Sequence, residues 1–200
     1  MPWGYWLPRL LVGADVRTLG SGNVGATNVW RLLGFKLGIA VAVLDIAKGA
    51  AAAGLGLWLA DDLVAVLGGC AAMVGHWRPL FVGFARGGKI VATTGGVGLA
   101  VAPLATLSAA GVWVAFFLVT RYASVASMAA AAALPLFALL YGASWPVLAF
   151  TSGAAVAIVV LHRGNIARLL RGQEHRMSLR RPRPKVRGGT SGAPLQSKRV

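Results

Sequence analysis

Long apolar stretches that carry almost no charge are the feature that most constrains this chain. Of its 200 residues 57% are apolar, and only 12% are charged. A helix rises about 1.5 Å per residue, so about 20 apolar residues cross a hydrocarbon core of about 30 Å. Every backbone N–H needs an internal partner in lipid, which favours helices there. The sequence therefore predicts an all-α fold, a polytopic membrane helical bundle.

Seven spanning helices are predicted, of which the first is shortened. The long apolar stretch 91–119 exceeds one crossing, and we divide it at Pro103 because proline interrupts a helix. The six full windows are 39–60, 63–82, 91–102, 104–119, 125–141 and 145–161. The segment 3–13 precedes them, and its 11 residues are too few to cross a membrane.

The charges of the chain lie mostly on one side of this bundle. It has 20 Lys and Arg against 5 Asp and Glu, a net charge of +15. Such a surplus would favour nucleic acid in a soluble chain, but the uncharged stretches exclude a soluble nucleic-acid binder. With the division at Pro103, every basic residue except Arg9 and Lys48 falls on one side. The positive-inside rule makes that side cytoplasmic.

The chain is divided into two parts by a change in composition near Arg171. Residues 1–170 form the predicted membrane domain. Residues 171–200 are basic and rich in Pro, Gly and Ser, which is typical of a disordered tail on the cytoplasmic side.

A glycine-rich segment, 20–31, precedes a helix that we expect to begin near Thr27. The N–H groups of such a loop and of a helix N-terminus can bind an anion. Asn28 and Arg31 are three residues apart and therefore share a helix face, where a phosphate could also meet a guanidinium. The alternative is a glycine-rich turn that only caps the helix.

A second polar segment, 75–89, contains glycines and a lysine at the spacing of a P-loop. Ile90 replaces the Ser or Thr that would hold magnesium, which argues against nucleotide hydrolysis. Gly87 and Gly88 can still form a backbone nest for an anion, and Lys89 can supply a point charge. The alternative is a basic membrane anchor that follows a glycine turn.

The third polar segment, 162–174, continues the last predicted span. His162, Asn165 and Arg168 recur every three residues and face one way in a helix. A histidine beside an amide and a cation suits proton transfer or oxyanion binding, although a structural histidine at a membrane boundary is the alternative. The loop before the span 125–141 adds the hydroxyl of Ser124 on the same side.

Asp45 and Lys48 lie three residues apart inside the predicted span 39–60. An isolated charge is expensive there, so we expect the two side chains to pair and to face the bundle. Whether they do more than this is left open. The sequence contains no cluster with the spacing of metal ligands, and neither a metal nor another cofactor is predicted.

Taken in order, four segments of the sequence resemble motifs of one family. These are GSGNVGATNVWR, GHWRPLF with GGKIVAT, TRYAS, and HRGNIARLLRGQE. They resemble the bacterial membrane glycerol-3-phosphate acyltransferases that use acyl phosphate as donor. The resemblance implies seven spanning helices and transfer of a fatty acyl group to the 1-hydroxyl of sn-glycerol 3-phosphate. The products would be lysophosphatidate and inorganic phosphate, made at the bacterial inner membrane during phospholipid synthesis.

The motifs and the residue chemistry together identify the candidate site residues. The expected catalytic residues are Ser21, Ser124, His162 and Asn165. The expected substrate- and phosphate-binding residues are Asn23, Thr27, Asn28, Arg31, His76, Gly87, Gly88, Lys89 and Thr93. The expected structural residues are Asp45, Lys48 and Glu174. Acyl phosphate is already activated, so the protein has chiefly to position two anions and stabilise an oxyanion.

Two departures from the family pattern are visible. An extra residue lies near Arg86, and Ile90 stands where the family usually has glycine, which would alter the shape of the phosphate loop. The segment 2–7 resembles the middle of the family's first helix, so we expect the outer half of that helix to be absent.

The expected partners are glycerol 3-phosphate, long-chain acyl phosphate and membrane lipid, with no nucleic acid, and the protein is expected to be a monomer. A small membrane anion transporter or channel is the alternative function, and it would need polar residues that lead to both faces. A phosphotransferase of the CDP-alcohol type ranks third, because it needs several aspartates on one helix for metal.

Overall fold

A computed structural model of the chain describes residues 1–85 and 87–177, and in this part every long regular element is a helix. The helices are α1 (Trp3–Val12), α2 (Ala26–Leu33), α3 (Phe35–Leu59), α4 (Asp62–Trp77), α5 (Val91–Val101), α6 (Pro103–Thr120), α7 (Ala123–Leu140), α8 (Trp145–Leu161) and α9 (Arg163–Leu170). A short 3-10 turn, Leu80–Val82, follows α4. The all-α prediction is confirmed.

Several of these helices have the length and composition of membrane spans. Within the described residues, four stretches qualify, namely Phe35–Leu59, Asp62–Val82, Pro103–Thr120 and Ala123–Leu140. The helices α8 and α9 qualify only as a pair, bent by 52°. The helices α1 and α5 are shorter. The seven predicted helices are all present as α1 and α3 to α8, and the membrane helical bundle is confirmed.

The division of the stretch 91–119 at Pro103 is also confirmed. Helix α5 ends at Val101, and α6 begins with Pro103 in its first turn. Proline is well placed there, because the N–H groups of the first turn have no partner within the helix. Ala102, between the two helices, has φ −151° and ψ 66°, which is not helical.

Helices α3 and α5 approach each other closely through glycines. A Cβ atom added to Gly96 would lie 2.8 Å from the backbone N of Ala50, and one added to Gly49 would lie 3.1 Å from the backbone N of Val97. Small residues at such crossings let two helix backbones pack at short distance in a membrane. This crossing holds α5 in the middle of the bundle, with its N-terminus beside the polar segments.

Two of the buried apolar clusters pack the helices against one another. The larger one joins α3, α4, α5, α7 and α8, and its members include Ala53, Val66, Met73, Val97, Ala131, Val147 and Phe150. The smaller one packs α1 and the glycine-rich loop against α2 and α3, through Tyr5, Val16, Val24, Val29 and Val41. The smaller cluster therefore forms the base on which the glycine-rich loop rests.

The packed part of the chain extends past the predicted domain boundary at residue 170. Met177 is only 4% exposed and lies in an apolar cluster with Phe117, Ala123 and Ala126. Its N–H donates to the carbonyl of Arg121 at 2.8 Å. The segment after residue 170 is therefore held on the bundle at Met177, whose side chain packs in this apolar cluster. The remainder of the predicted tail, 178–200, lies outside the described residues.

The α3–α5 crossing can be tested with two neighbouring glycines. We expect Gly96→Ala to lower stability by about 1–3 kcal/mol, because its methyl group would overlap the α3 backbone. Gly95→Ala is the matched control, since an added Cβ there meets no atom within 4 Å. Thermal unfolding in detergent measures both. Equal midpoints for the two variants would contradict the close crossing.

Candidate active site

A polar pocket of about 270 Å³ lies at one end of the bundle, where the four polar segments meet. Its walls come from the glycine-rich loop, α2, the residues before α5, the start of α7, and α9. The predicted site residues that line it are Ser21, Asn23, Thr27, Asn28, Arg31, Asp45, His76, Lys89, Ser124, His162, Asn165 and Glu174. The prediction that the four segments share one end of the bundle is confirmed.

Asn28 holds the glycine-rich loop together. Its Nδ2 group donates to the carbonyls of Asn23 at 2.9 Å, Leu19 at 3.3 Å and Val16 at 3.4 Å, and its Oδ1 accepts from the N–H of Ser21 at 3.1 Å. The side chain is 3% exposed. Its donors are committed to the loop, so the predicted phosphate contact of Asn28 is replaced by a structural role.

A second amide also shapes this loop. Asn23 accepts a hydrogen bond from the N–H of Gly25 at 2.7 Å, which is the pattern of an Asx turn. Helix α2 begins at Ala26, one residue before the predicted start. Asn23 therefore also serves the loop, while Ser21 and Thr27 line the pocket beside it.

Arg31 brings a half-buried cation to the pocket. Its Nη2 lies 3.8 Å from Met177 Sδ, and its buried Nε has no hydrogen-bond partner within the described part of the chain. Burial lowers the pKa of Arg31, Glu174 opposes this shift, and Arg168 adds to it. A guanidinium stays protonated in proteins, so Arg31 is a charged donor. Its buried Nε can donate a hydrogen bond to an oxygen of a ligand.

Gly87 and Gly88 do not form the predicted anion nest. The N–H of Gly87 donates to the carbonyl of Trp77 at 2.9 Å, and that of Gly88 donates to the carbonyl of His76 at 3.1 Å. These carbonyls belong to the last turn of α4, where they lack partners within the helix. A side chain at either glycine would overlap α4. The glycines therefore let the loop pack on α4 and bring Lys89 to the pocket.

Lys89 and Thr93, predicted as neighbours in one motif, have different environments. Lys89 Nζ donates to Asn165 Oδ1 at 2.5 Å and lines the pocket. Thr93 is fully buried against α3, and its hydroxyl has no hydrogen-bond partner among the described residues. It does not line the pocket, and its binding role stays a prediction. Thr93 lies in the first turn of α5, and the α3–α5 crossing encloses it.

The last span bends where it reaches the pocket. The sequence predicts a continuous helix there, but α8 ends at Leu161 and α9 begins at Arg163. Between them lies His162, 3% exposed, whose Nδ1 is 2.8 Å from the carbonyl of Ile158. That carbonyl can only accept, so we assign the proton to Nδ1, which leaves Nε2 as an acceptor.

Glu174 joins three segments of the site. Its Oε1 accepts from Ser124 Oγ at 2.8 Å and from Asn165 Nδ2 at 2.6 Å, and its Oε2 accepts from Arg168 Nε at 2.7 Å. Burial raises the pKa of Glu174, but these hydrogen bonds outweigh burial and hold its pKa below the ordinary value. The carboxylate therefore anchors these segments to one another. The Ser124 hydroxyl donates to Glu174 here, and its role as a donor to the substrate stays a prediction.

Some pocket residues were not nominated from the sequence. Arg168 was noticed on the face of His162 and Asn165, and its spacing is the signal that could have included it. Trp113 of α6 donates from Nε1 to Ser127 Oγ at 3.1 Å and also lines the pocket. A single tryptophan in an apolar helix has no spacing pattern that would indicate a place in the pocket.

An apolar groove of about 430 Å³ adjoins the polar pocket. It lies between α4 and α8, and its lining residues are Cys70, Met73, Val74, Trp77, Ile90, Ala149, Phe150, Gly153, Ala154, Ala157, Val160 and Leu161. Three of these lining residues directly adjoin pocket residues in sequence: Trp77 follows His76, Ile90 follows Lys89, and Leu161 precedes His162. One end of the groove therefore lies within one residue of the polar pocket.

Comparisons with known proteins agree with this arrangement. A sequence model described as glycerol-3-phosphate acyltransferase matches residues 1–172. Glycerol-3-phosphate acyltransferase of Desulforudis audaxviator is 45% identical over 181 residues, which cover 90% of this chain and 91% of that protein. The protein of the same name from a Roseiflexus species is 48% identical over 172 residues, with 82% and 83% covered.

Solved structures show the same fold. The glycerol 3-phosphate form of PlsY (YgiH), described as an integral membrane glycerol 3-phosphate acyltransferase, has a TM-score of 0.82 and 41% identity, over 88% of this chain and 90% of that one. Its lysophosphatidic acid form also has a TM-score of 0.82, with 40% identity and 89% of each chain covered. This chain therefore belongs to the glycerol-3-phosphate acyltransferase family of integral membrane proteins.

Proposed function

We propose that this protein is an acyl phosphate:sn-glycerol-3-phosphate 1-acyltransferase that makes lysophosphatidate and inorganic phosphate. The observation that carries the proposal is the junction of a cationic pocket with an apolar groove. One substrate is a small anion and the other is an anion with a long apolar tail, and the junction offers a matching surface for each. The family membership supports the acyltransferase activity, and acyl phosphate as donor is the finer part of the proposal.

The phosphate of glycerol 3-phosphate binds between Arg31 and Lys89 in this proposal. The buried Arg31 Nε becomes satisfied when a phosphate oxygen accepts its hydrogen bond. Lys89 adds a second positive charge, and its contact with Asn165 ties this charge to the third polar segment. Two cations on separate elements suit a dianion that has to be oriented as well as held.

The acyl transfer needs an oriented hydroxyl and a stabilised oxyanion. With its proton on Nδ1, His162 accepts a hydrogen bond from the attacking hydroxyl at Nε2. Asn165 has two Nδ2 protons, of which Glu174 accounts for one, and the second serves the oxyanion. Glu174 is held by three donors and is poorly suited as a base. The hydroxyl proton therefore passes to Nε2 of His162 and from there to the departing phosphate.

The bonds balance without a further reactant. The 1-oxygen of glycerol 3-phosphate bonds to the acyl carbon, and the bond between that carbon and the phosphate oxygen breaks. The phosphate leaves with the electron pair and with the hydroxyl proton, as inorganic phosphate. The protein's contribution in this proposal is orientation and charge stabilisation.

The fatty chain of the donor occupies the groove between α4 and α8. Its far end is lined by Ala149 and Phe150, and its near end by Leu161 and Ile90 beside the pocket. Burial of each methylene contributes about 0.8 kcal/mol, so the groove can select for chain length. The groove opens toward the lipid, which suits a donor that dissolves in the membrane.

The polar end of the bundle faces the cytoplasm in this proposal, and the membrane is the bacterial inner membrane. The support is the charge distribution, since the basic residues concentrate in the segments around the pocket. Glycerol 3-phosphate is water-soluble and enters from that side. One chain supplies the whole pocket, which supports a monomer as the working unit.

The choice of donor is the direct test of the proposal. We expect purified protein in lipid vesicles to acylate glycerol 3-phosphate with palmitoyl phosphate and to release inorganic phosphate. Palmitoyl-CoA and palmitoyl acyl carrier protein should give no product above the protein-free background, since neither carries the small anhydride that the pocket fits. Product formation only with a thioester would contradict the mechanism.

Arg31 tests the phosphate site. We expect Arg31→Met to raise KM for glycerol 3-phosphate by about 10-fold to 100-fold, because a charge-assisted hydrogen bond contributes about 1.5–3 kcal/mol. Arg163→Met is the matched control, since Arg163 is an exposed arginine that does not line the pocket. The same KM in the Arg31 and Arg163 variants would remove Arg31 from the phosphate site.

Gly153 tests the groove. It lies nine residues before His162, about 13 Å along α8, and an added Cβ meets no atom within 4 Å. We expect Gly153→Phe to lower turnover of palmitoyl phosphate by about tenfold, a loss that corresponds to one or two methylenes displaced from the groove. Turnover of octanoyl phosphate should stay near that of the unmodified protein.

The control for Gly153 lies on the same helix. Val156 is 65% exposed and does not line the groove, so Val156→Phe adds a ring on a lipid-facing surface. It should leave both donors unaffected. A uniform loss with both chain lengths in Gly153→Phe, or an equal effect of Val156→Phe, would contradict the groove as the acyl site.

A further inference from the structure

A buried cluster of three ionisable side chains lies behind the pocket. Lys48 Nζ is 2.5 Å from Asp45 Oδ1 and 2.6 Å from His76 Nδ1. Asp45 is 1% exposed and His76 is 3% exposed, and both line the pocket. The ion pair was predicted from the spacing of Asp45 and Lys48, whereas the contact with His76 was not.

The contact with Lys48 sets the state of the His76 ring. A lysine ammonium can only donate, so Nδ1 of His76 accepts and the ring proton is on Nε2. The ammonium also donates to Asp45 Oδ1, which itself lies 3.5 Å from His76 Nδ1. The His76 ring is therefore held in one orientation by a donor that is itself anchored in α3.

Gly88 lies directly on this ring. A Cβ atom added to Gly88 would be 2.6 Å from Cε1 and 2.8 Å from Cδ2 of His76. The N–H of Gly88 donates to the carbonyl of the same histidine. The next residue is Lys89, whose Nζ reaches Asn165 in the pocket. A continuous set of contacts thus leads from Asp45 and Lys48, through His76 and Gly88, to Lys89.

The position of the cluster argues for more than an ion pair within α3. A buried ion pair has a large desolvation cost, and apolar side chains of similar size often replace one without loss of stability. This pair instead reaches the ring on which the loop of Lys89 rests. The geometry points to Asp45, Lys48 and His76 as a positioning cluster that sets where Lys89 meets the phosphate of glycerol 3-phosphate. The inference rests on the proposed phosphate-binding role of Lys89.

The test removes both charges together, so that no charge is left buried alone. Asp45→Asn with Lys48→Met keeps the shapes of the two side chains and deprives His76 of its charged donor. The readout is the dissociation constant for glycerol 3-phosphate, measured by titration calorimetry on purified protein in detergent. We expect this double variant to weaken binding about tenfold, since an unsupported ring lets the loop shift.

Repeating the measurement in a protein that also carries Lys89→Met distinguishes the positioning role from a merely structural one. If the cluster acts through Lys89, the double variant should change the dissociation constant about tenfold with Lys89 present and less than about twofold in Lys89→Met. Equal changes in both backgrounds would overturn the positioning role. So would an unchanged dissociation constant in the double variant.

Gly88→Ala provides an independent variant if the charge-free protein does not fold. Its methyl group displaces the loop from the His76 ring and leaves all three ionisable residues intact. We expect the same loss of affinity, again absent in Lys89→Met. Unaltered affinity in Gly88→Ala would overturn the route through Gly88. Failure of the unmodified protein to bind glycerol 3-phosphate would instead contradict the proposed function, which keeps the two failures distinct.

Discussion

The cost of placing polar groups in hydrocarbon is the constraint on which the rest of this structure depends. Backbone groups in lipid must be paired within helices, and ionisable side chains must be paired or moved to an end of the bundle. The described part of the chain follows both rules, since its pocket lies where four polar segments meet. The charges that remain deeper, those of Asp45 and Lys48, hold each other. A catalytic surface for water-soluble and lipid substrates thus forms at one end.

Within that surface, some polar residues hold the site and others are available to a ligand. Asn28 closes the glycine-rich loop, and Glu174 ties α7, α9 and the segment after α9 to one carboxylate. Arg31 keeps a buried donor for a ligand, and the hydrogen bond of His162 to its own helix leaves Nε2 as an acceptor. This division explains how a small protein can present a rigid arrangement of donors to a phosphorylated substrate.

The helices and the shared end of the polar segments could be predicted, whereas several residue roles could not. The division at Pro103 follows from local chemistry, because proline fits the first turn of a helix and not its interior. The anion nest at Gly87 and Gly88 was a reasonable expectation from glycine alone. It fails because the carbonyls at the end of α4 take both N–H groups. Thr93 has motif spacing, yet the α3–α5 crossing encloses it away from the pocket.

The sequence by itself determined the all-α membrane architecture and the family to which the motifs belong. These properties depend on apolar length, helical period and the order of residues along the chain. Only the tertiary structure decided which polar atoms meet a ligand and which meet other protein groups. It also decided that α8 ends at Leu161, just before His162, and that Met177 packs against Arg31. The physical reason is that a hydrogen-bond partner comes from a distant segment, and its identity depends on how the helices cross.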